Sequence, residues 1–237
     1  MKESLKLLQS EIGHTFRNPD LLREALTHKS YAAEWNVKYD NQRLEFFGDA
    51  VVQLVLTRYL FDRYPTLQEG DLTKIRSALV NQDSLAMFAR SISLGDYLRL
   101  GKGETDSSGQ DRDSTISDAF EALSAAIYLD AGYEKVETFI LRVLEQNVEN
   151  PLQLLTSLNP KGALQEYTQS QKNGMTPRYT TLSVTGPAHD PCYEAGVFLG
   201  KEMIATGVAQ NRKNAEQKAA EAALKILKQR EKESSGL

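Results

Sequence analysis

Cysteine, tryptophan and histidine are scarce in this chain of 237 residues, which contains one, one and three of them respectively. Because Cys192 has no second cysteine beside it, a disulfide within one chain and a cysteine-built zinc site are excluded. No apolar run reaches the roughly 18 residues of a membrane span, and the N-terminal sequence lacks a secretory core. Gly101–Gly103 is too short for a phosphate-binding loop. We expect a cytoplasmic protein without a membrane partner or an organic cofactor.

Charges of both signs are present, but they are unevenly distributed around a net charge of −4. Residues 1–156 carry 17 basic and 24 acidic side chains, whereas residues 157–237 carry 11 basic and 8 acidic ones. The basic excess in the C-terminal part predicts a polyanionic partner there. The acidic excess of the first part argues against simple electrostatic binding of nucleic acid and is compatible with a metal-dependent site.

The spacing of apolar residues predicts two domains of different class. Residues 1–149 show helical spacing without strand-like alternation, which indicates an all-α domain. Residues 150–160, bracketed by prolines, are predicted to be a linker, and residues 231–237 a disordered tail. Residues 161–230 are predicted to form a small α+β domain in the order α-β-β-β-α. Its predicted elements are helix 161–171, strands 178–184, 192–199 and 201–207, and helix 211–228.

Acidic side chains lie on one face of each of two apolar helices. In NQRLEFFGDAVVQLVLTRYL (residues 41–60), Gln42, Glu45 and Asp49 fall within an arc of about 60°. In STISDAFEALSAAIYLDAG (residues 114–132), Asp118 and Glu121 are three residues apart and share a face. An unpaired buried charge costs on the order of several kcal/mol, so these carboxylates require a compensating partner. Oxygen ligands of this kind suit a divalent cation such as Mg²⁺.

A purely structural interpretation of these acidic residues remains open at this point. The carboxylates near the start of the second helix could complement its dipole, and those of the first could form ion pairs with Arg43 or Arg76. A helical scaffold of that kind would not be stabilised by Mg²⁺. The recurrence of an acidic face on a second helix favours the metal site.

Several blocks of the chain resemble the bacterial ribonuclease III family and occur in the family's order. In the first part they are LTHKSY (Leu26–Tyr31), QRLEFFGDAVV (residues 42–52), EGDLTKIRSALV (Glu69–Val80) and SDAFEALSAAIYLD (Ser117–Asp130). The C-terminal part resembles a double-stranded-RNA-binding domain. Its cues are LQEY (Leu164–Tyr167), GPAHDP (Gly186–Pro191) and NRKNAEQKAA (Asn211–Ala220).

The resemblance implies a homodimeric, Mg²⁺-dependent endonuclease, with Mn²⁺ as a substitute, that cuts both strands of double-stranded RNA. The products would carry a 5′-phosphate and short 3′ overhangs, and the substrates would include ribosomal RNA precursors and other structured transcripts. By the family motifs, Glu45, Asp118 and Glu121 would bind metal, and Asp49 and Glu121 would be catalytic.

Three further positions in the first domain follow from the resemblance. Glu69 falls at another acidic family position with a weaker role, and Phe46 would insert into a socket on the partner subunit. Gln42 stands where many members carry a glutamate. Glutamine keeps an acceptor oxygen but loses the charge, so Gln42 cannot be a strong cation ligand. Because the four other carboxylates form the central metal site in the family, we expect activity to survive with altered RNA positioning or metal affinity.

The C-terminal domain would read the shape of A-form RNA rather than its sequence. Its first helix would meet the minor groove, a loop would follow, and a basic helix N-terminus would meet phosphates. The residues expected to bind RNA are Gln165, Glu166, His189, Arg212, Lys213 and Lys218.

A non-catalytic RNA-binding or ribosome-associated protein on the same scaffold is the alternative function. A degenerate member would be expected to lack one or more of the four carboxylates Glu45, Asp49, Asp118 and Glu121. All four are present, and Gln42 alone favours the alternative.

Overall fold

The chain folds into two units, residues 1–149 and residues 150–237, in a computed structural model that describes residues 2–171, 174–187 and 190–234. The described helices are α1 (Lys2–Ile12), α2 (Pro19–Ala25), α3 (Lys29–Trp35), α4 (Gln42–Arg63), α5 (Glu69–Leu79), α6 (Gln82–Ser91), α7 (Lys102–Asp106), α8 (Asp113–Ala131), α9 (Tyr133–Asn147), α10 (Gln153–Leu158), α11 (Pro160–Gln171) and α12 (Arg212–Ser234). The described strands are β1 (Arg178–Thr185), β2 (Cys192–Leu199) and β3 (Glu202–Ala209). None of the described helices combines the length and apolar character needed to cross a bilayer.

Helix α8 forms the centre of the first unit. Its alanine-rich sequence buries Ala119, Phe120 and Leu123 completely, and small side chains allow neighbouring helices to approach closely. Helices α2, α4, α6 and α9 all pack against it. The ring of Phe120 lies 5.9 Å from that of Phe88 on α6. The predicted all-α class of this unit is confirmed.

The ends of α8 differ in how well the sequence predicted them. Gly132 ends the helix with φ of 83°, which glycine adopts without strain. At the other end, the polar, glycine-containing segment 101–113 predicts a loop, and Ser114 or Thr115 is the predicted N-cap. The helix instead begins at Asp113, and Arg112 holds the cap position without a side-chain hydrogen bond. The preceding segment, expected to be a loop, contains α7 and a 3₁₀ turn at Gly109–Asp111.

The second unit packs two helices against an antiparallel sheet of order β1-β2-β3. Leu164, Val197, Ile204 and Ala219 meet in its core. A Cβ on Gly207 would lie 2.3 Å from the backbone nitrogen of Ala219, so glycine is required where β3 meets α12. The predicted α-β-β-β-α order is confirmed.

Two boundaries of the second unit differ from the sequence expectation. The segment 150–160, predicted to be a linker, belongs to this unit and contains α10. Helix α12 continues to Ser234, beyond the predicted boundary at residue 230. Alanine, lysine, glutamate and arginine fill that helix, and their high helix propensity carries it past the last core residue.

Candidate metal centre and nucleic-acid interface

Helices α4 and α8 approach each other most closely at Gly48. A Cβ at this position would lie 1.9 Å from the carbonyl oxygen of Glu121, a distance that real Cβ atoms do not reach. Only glycine therefore permits this contact between the two helices. The contact sets the two acidic faces directly against each other.

Three of the predicted carboxylates converge beside this contact. One oxygen from each of Glu45, Asp118 and Glu121 lies within 4.8 Å of the others. Oxygen ligands of one Mg²⁺ ion each lie about 2.0–2.1 Å from the metal, so they must come within roughly 4 Å of one another. The arrangement and the hard oxygen donors fit a divalent cation. We call these three residues the carboxylate cluster.

The three carboxylates of the cluster have raised pKa values, because burial and, for Glu121 and Glu45, neighbouring negative charges disfavour their ionised forms. Burial, followed by the charges of Asp49, Asp118 and Glu45, raises the pKa of Glu121 to about 8. Burial and the charge of Asp118 raise the pKa of Glu45, and burial raises the pKa of Asp118. A bound cation would reverse all of these shifts, because it favours the ionised carboxylates.

The structural ion-pair interpretation is not supported by the described part of the chain. No ion pair reaches the carboxylate cluster there, and Arg76 instead donates to the hydroxyl of Thr57 at 3.3 Å. Lys29 is the nearby cation, and its charge lowers the pKa of Glu45 and of Asp118 without overcoming burial. Lys29 therefore compensates the carboxylates of the cluster only in part.

Lys29 and His28 border the carboxylate cluster, and sequence reasoning assigned no role to the lysine. His28 caps α3 by accepting the backbone N–H of Ser30. Burial lowers the pKa of His28, while the charges of Glu104 and Asp118 oppose the shift. The helix-start position of Lys29, directly after a capping residue, was the available signal.

Asp49 stands apart from the carboxylate cluster. It lies one turn beyond Glu45 on α4, is exposed, and accepts a 2.8 Å hydrogen bond from the amide of Gln53. Its charge still acts on Glu121. The structure thus separates three clustered carboxylates from a fourth that borders them.

The remaining predicted positions of the first unit lie outside the cluster. Gln42 is exposed, and Phe46 is 83% exposed. Both line an open groove of about 760 Å³ together with Phe47 and Leu129. Glu69 lies in the first turn of α5, where it accepts a 3.0 Å hydrogen bond from the hydroxyl of Thr73.

The predicted RNA-binding positions are exposed wherever they are described. Gln165 and Glu166 project from α11, and Arg212, Lys213 and Lys218 from the N-terminal half of α12. His189 lies outside the described residues. The helix N-terminus adds partial positive charge to the basic side chains, which suits phosphate.

A buried glutamate holds one end of this basic surface in place. The carboxylate of Glu216 accepts from the ammonium of Lys161 at 2.6 Å and from the guanidinium of Arg212 at 2.8 Å. Lys161 also lies 4.2 Å from the ring centre of Tyr179. Sequence reasoning did not identify Glu216, although its i,i+4 spacing from Arg212 was a usable signal.

Comparison with known proteins agrees with both halves of this geometry. Residues 18–147 match the family model described as Ribonuclease-III-like, and residues 160–227 match the double-stranded RNA binding motif. Ribonuclease 3 of Symbiobacterium thermophilum is 47% identical over 213 residues, 90% of each chain. The chain belongs to the ribonuclease III family. As a member it is an endoribonuclease, and this confirms the resemblance read from the sequence motifs.

Other relatives of the ribonuclease III family cover the chain in the same way. Ribonuclease 3 of Nitratiruptor sp. is 42% identical over 230 residues, which cover 96% of this chain and 99% of that protein. The nuclease domain of ribonuclease III from Campylobacter jejuni, described as flexible in a region involved in dimer formation, matches with a TM-score of 0.59 and 42% identity. That match covers 62% of this chain and 99% of the other.

Proposed function

We propose that this protein hydrolyses both strands of double-stranded RNA with Mg²⁺ held by Glu45, Asp118 and Glu121, and that its substrates include ribosomal RNA precursors. The carboxylate cluster carries the proposal, because three converging acids without an ion-pair partner among the described residues form a set of oxygen ligands that suits a divalent cation. Mn²⁺ would substitute, since it accepts the same oxygen ligands. The basic surface of the second unit supplies the polyanion binding that the acidic first unit lacks.

Some residues of the chain would hold the metal, and others would orient the reactants. When bound, the metal would activate water and stabilise the charge that develops on the phosphodiester. The backbone of Glu121 contacts α4 at Gly48, and this helix contact fixes the position of Glu121. Asp49 is oriented by Gln53 at the edge of the cluster, where it would position the attacking water.

RNA would be held mainly through its shape and its phosphates. Gln165 and Glu166 on α11 would approach the minor groove, with His189 at a second minor-groove contact. Arg212, Lys213 and Lys218 would meet phosphates across the narrow major groove. Contacts of this kind carry little sequence information, so we expect broad selectivity among duplexes.

The exposed ring of Phe46 supports a homodimer. A solvent-exposed phenylalanine beside Phe47 and Leu129 forms an apolar surface that a second copy would cover. Phe61 and Leu72 line another groove of about 480 Å³ between α4 and α5, and this is our candidate socket for the partner's Phe46. Glu69 lies at that groove, which accounts for its secondary role.

Sedimentation of a Phe46→Ala variant tests the dimer. We expect the variant to shift from dimer towards monomer, because the central apolar contact is lost. Leu7→Ala is the matched control, since Leu7 is 64% exposed on α1 and lies outside both grooves. A wild-type protein that sediments as a monomer at micromolar concentration would refute the dimer.

A reducing compartment suits the single cysteine. Cys192 is free and half-buried on β2, and we place the enzyme in the cytoplasm with its RNA substrates. Fractionation of cells with an antibody to the protein would test this placement.

Cleavage of a labelled RNA duplex on a denaturing gel tests the proposed activity. We expect short products with Mg²⁺ and none with Ca²⁺, because catalysis demands the smaller cation's geometry. Glu121→Gln should slow cleavage by about a thousandfold or more, since a metal supplies several kcal/mol of transition-state stabilisation. Gel-shift binding should be unchanged. Glu134→Gln, on the exposed face of α9, is the matched control.

Two results of that assay would overturn parts of the proposal. Equal rates for Glu121→Gln and the unaltered protein would remove Glu121 from the metal site. Binding without cleavage under both ions would favour the non-catalytic alternative. Gln42→Glu extends the assay, because a restored carboxylate should change the rate or the Mg²⁺ dependence. If it changes neither, position 42 has no catalytic weight.

A further inference from the structure

Trp35, the chain's only tryptophan, ends a stack of three flat side chains on the surface of the first unit. Its indole lies against the ring of Tyr31, with ring centres 5.8 Å apart and planes inclined by 23°. The guanidinium of Arg99 also lies over the Tyr31 ring, 4.2 Å from its centre. Trp35 itself is 62% exposed. We call these three residues the aromatic stack.

The inner end of the aromatic stack is held rigidly. Arg99 donates to the hydroxyl of Thr27 at 3.1 Å and to that of Tyr39 at 3.3 Å. Its backbone forms two further hydrogen bonds, one to each neighbour of Thr27. The N–H of Arg99 donates to the carbonyl of Leu26, and the carbonyl of Arg99 accepts from the N–H of His28. Interactions of a cation and of stacked rings with an aromatic face are each favourable. The contacts of Tyr31 and Arg99 therefore hold in place the surface against which Trp35 stacks.

The outer face of Trp35 is open. No aromatic or cationic side chain among the described residues stacks on that face. The exposed indole keeps a large apolar area in contact with water, and a flat group that covered it would remove that area from water. An external planar group is the partner that this arrangement leaves room for.

Helix α3 connects the aromatic stack to the carboxylate cluster. Lys29 begins α3 and acts electrostatically on Glu45 and Asp118, whereas Trp35 ends it. Seven residues of α-helix span about 10 Å. Trp35 therefore lies at the far end of a short helix whose first residue acts on the carboxylate cluster.

We propose that Trp35 stacks on an unpaired nucleobase of the bound RNA, close to the cleaved bond, and thereby selects substrates that contain a bulge, an internal loop or a strand end there. The inference rests on the proposed function, which brings RNA to the carboxylate cluster. Paired bases within a duplex already stack on each other, and only an unpaired base offers a free face. A perfect duplex has no free base face, so it would not stack on Trp35.

Several features of the site favour a nucleobase over a protein partner. The stack offers a flat surface of one ring and not an extended apolar patch, and its neighbour along α3 is the RNA-cleaving cluster. Lys29 at the start of the helix would accompany the phosphate of a stacked nucleotide. Stacking on an aromatic side chain tolerates every base, so the selection would concern pairing and not sequence.

Tryptophan fluorescence gives a direct measurement, because Trp35 is the only tryptophan. The full-length protein is titrated, with Ca²⁺ present and Mg²⁺ omitted, against a perfect RNA duplex and against the same duplex with one unpaired adenosine. The adenosine is moved one nucleotide at a time past the mapped cleavage position. We expect strong quenching at one or two positions and weak quenching by the perfect duplex. Equal quenching by every duplex would overturn the proposal.

Cleavage competition supplies the second measurement. The preference for the quenching duplex over the perfect duplex should fall about fivefold to a hundredfold in Trp35→Ala, the range expected for the loss of one base–aromatic stack. Trp35→Phe should keep most of the preference, since it keeps a ring. Leu7→Ala, another exposed apolar residue, should leave the preference unchanged. Equal preference in Trp35→Ala and the unaltered protein would refute the assignment.

The two proposals fail in distinguishable ways. Failure of the proposed function would appear as a lack of Mg²⁺-dependent cleavage of the perfect duplex by the unaltered protein. Failure of the stacking inference would leave that cleavage intact without any position-dependent quenching. If Trp35 were instead covered by a second copy of the chain, its emission would change with protein concentration in the absence of RNA, which would also overturn the inference.

Discussion

Glu121 in the first unit and Glu216 in the second are both glutamates drawn away from solvent on long helices, yet their surroundings are opposite. Burial and three neighbouring carboxylates raise the pKa of Glu121 to about 8. Burial alone would also raise the pKa of Glu216, but hydrogen bonds from Lys161 and Arg212 hold it below its ordinary value. Glu216 is compensated by the chain's own cations, whereas Glu121 is surrounded by more negative charge.

The difference separates a glutamate that is paired within the chain from one that is not. A buried charge that has a structural role is paired within the chain, because an unpaired one costs stability. A carboxylate cluster that must receive a cation cannot carry its own counter-ion without competing with that cation. The raised pKa of Glu121 is therefore consistent with its proposed role as a metal ligand, whereas the paired Glu216 positions the basic surface beside it.

The largest expected effect comes from moving the two acidic helices apart. Gly48→Ala would place a Cβ 1.9 Å from the carbonyl oxygen of Glu121, and we expect it to destabilise the first unit by about 3 kcal/mol. Glu121 would then resemble an ordinary exposed acid, and stabilisation by Mg²⁺ would weaken. Thermal unfolding with and without Mg²⁺ measures both effects.

Gly70→Ala is the matched control for that substitution. Gly70 lies on α5, and no atom comes within 4 Å of a Cβ built there. Alanine should therefore be neutral or stabilise by up to about 1 kcal/mol. A Gly48→Ala protein as stable and as responsive to Mg²⁺ as the unaltered chain would show that the helix contact does not organise the cluster.

The two glutamates should respond to pH in opposite directions. Glu121 binds a proton more tightly in the folded state, so its contribution to stability is present below its ordinary pKa of 4.5 and is lost as the pH rises to about 8. Glu216 has a lowered pKa, so its contribution is present above 4.5 and is lost as the pH falls. Hydrogen exchange of α8 and α12 reports the two units separately.

Glutamine substitutions sharpen this test. Glu121→Gln should weaken the pH dependence of the exchange of α8 between 4.5 and 8, leaving the part that comes from the raised pKa values of Glu45 and Asp118, and it should also abolish the added protection from Mg²⁺. Glu216→Gln should destabilise α12 by about 1–2 kcal/mol at neutral pH, a modest value because Lys161 and Arg212 are partly exposed and can be resolvated. If the two variants gave parallel pH profiles, Glu121 and Glu216 would not contribute to stability with opposite pH dependence.

The smallest expected effect is on the salt dependence of RNA binding, because Glu216 partly neutralises the charge of Arg212. Lys213 has no acidic partner among the described residues, so Lys213→Ala should reduce the salt slope of RNA binding by about one. Arg212→Ala should reduce it less, because Glu216 already neutralises part of that charge. The double variant should weaken binding and flatten the slope further, as filter binding at several salt concentrations would show.

Lys225→Ala is the control for these substitutions. Lys225 lies farther along α12 and pairs with Glu221 at 2.7 Å, so its removal should not change the salt slope. An unchanged slope in the double variant would instead place Arg212 and Lys213 outside the RNA interface.

Much of the candidate site was predictable because helical spacing is a property of the sequence. The arc shared by Glu45 and Asp49, and the three-residue spacing of Asp118 and Glu121, place these residues on faces without reference to the fold. The N-cap of α8 was predicted wrongly, since the chain enters that helix from a 3₁₀ turn and the cap falls on Arg112. Capping preference is a weak signal when the preceding segment is itself structured.

The separation of Asp49 from the carboxylate cluster lay beyond the sequence. A helical wheel shows that Asp49 and Glu45 share a face, but it does not show which turn of α4 lies opposite Glu121. That alignment depends on where Gly48 allows the two helices to meet. The partnership of Glu216 with Lys161 likewise joins residues 55 positions apart.

The sequence by itself determined most of the helices, the strands, the acidic faces, the basic C-terminal part and the family, because each follows from residue identity and local spacing. The tertiary structure decided which carboxylates converge, which glutamate is paired, and which aromatic ring is left exposed. These depend on distances between segments remote in the chain, and such distances are set by packing. The same carboxylate is an ordinary surface acid or a metal ligand according to what the fold places beside it.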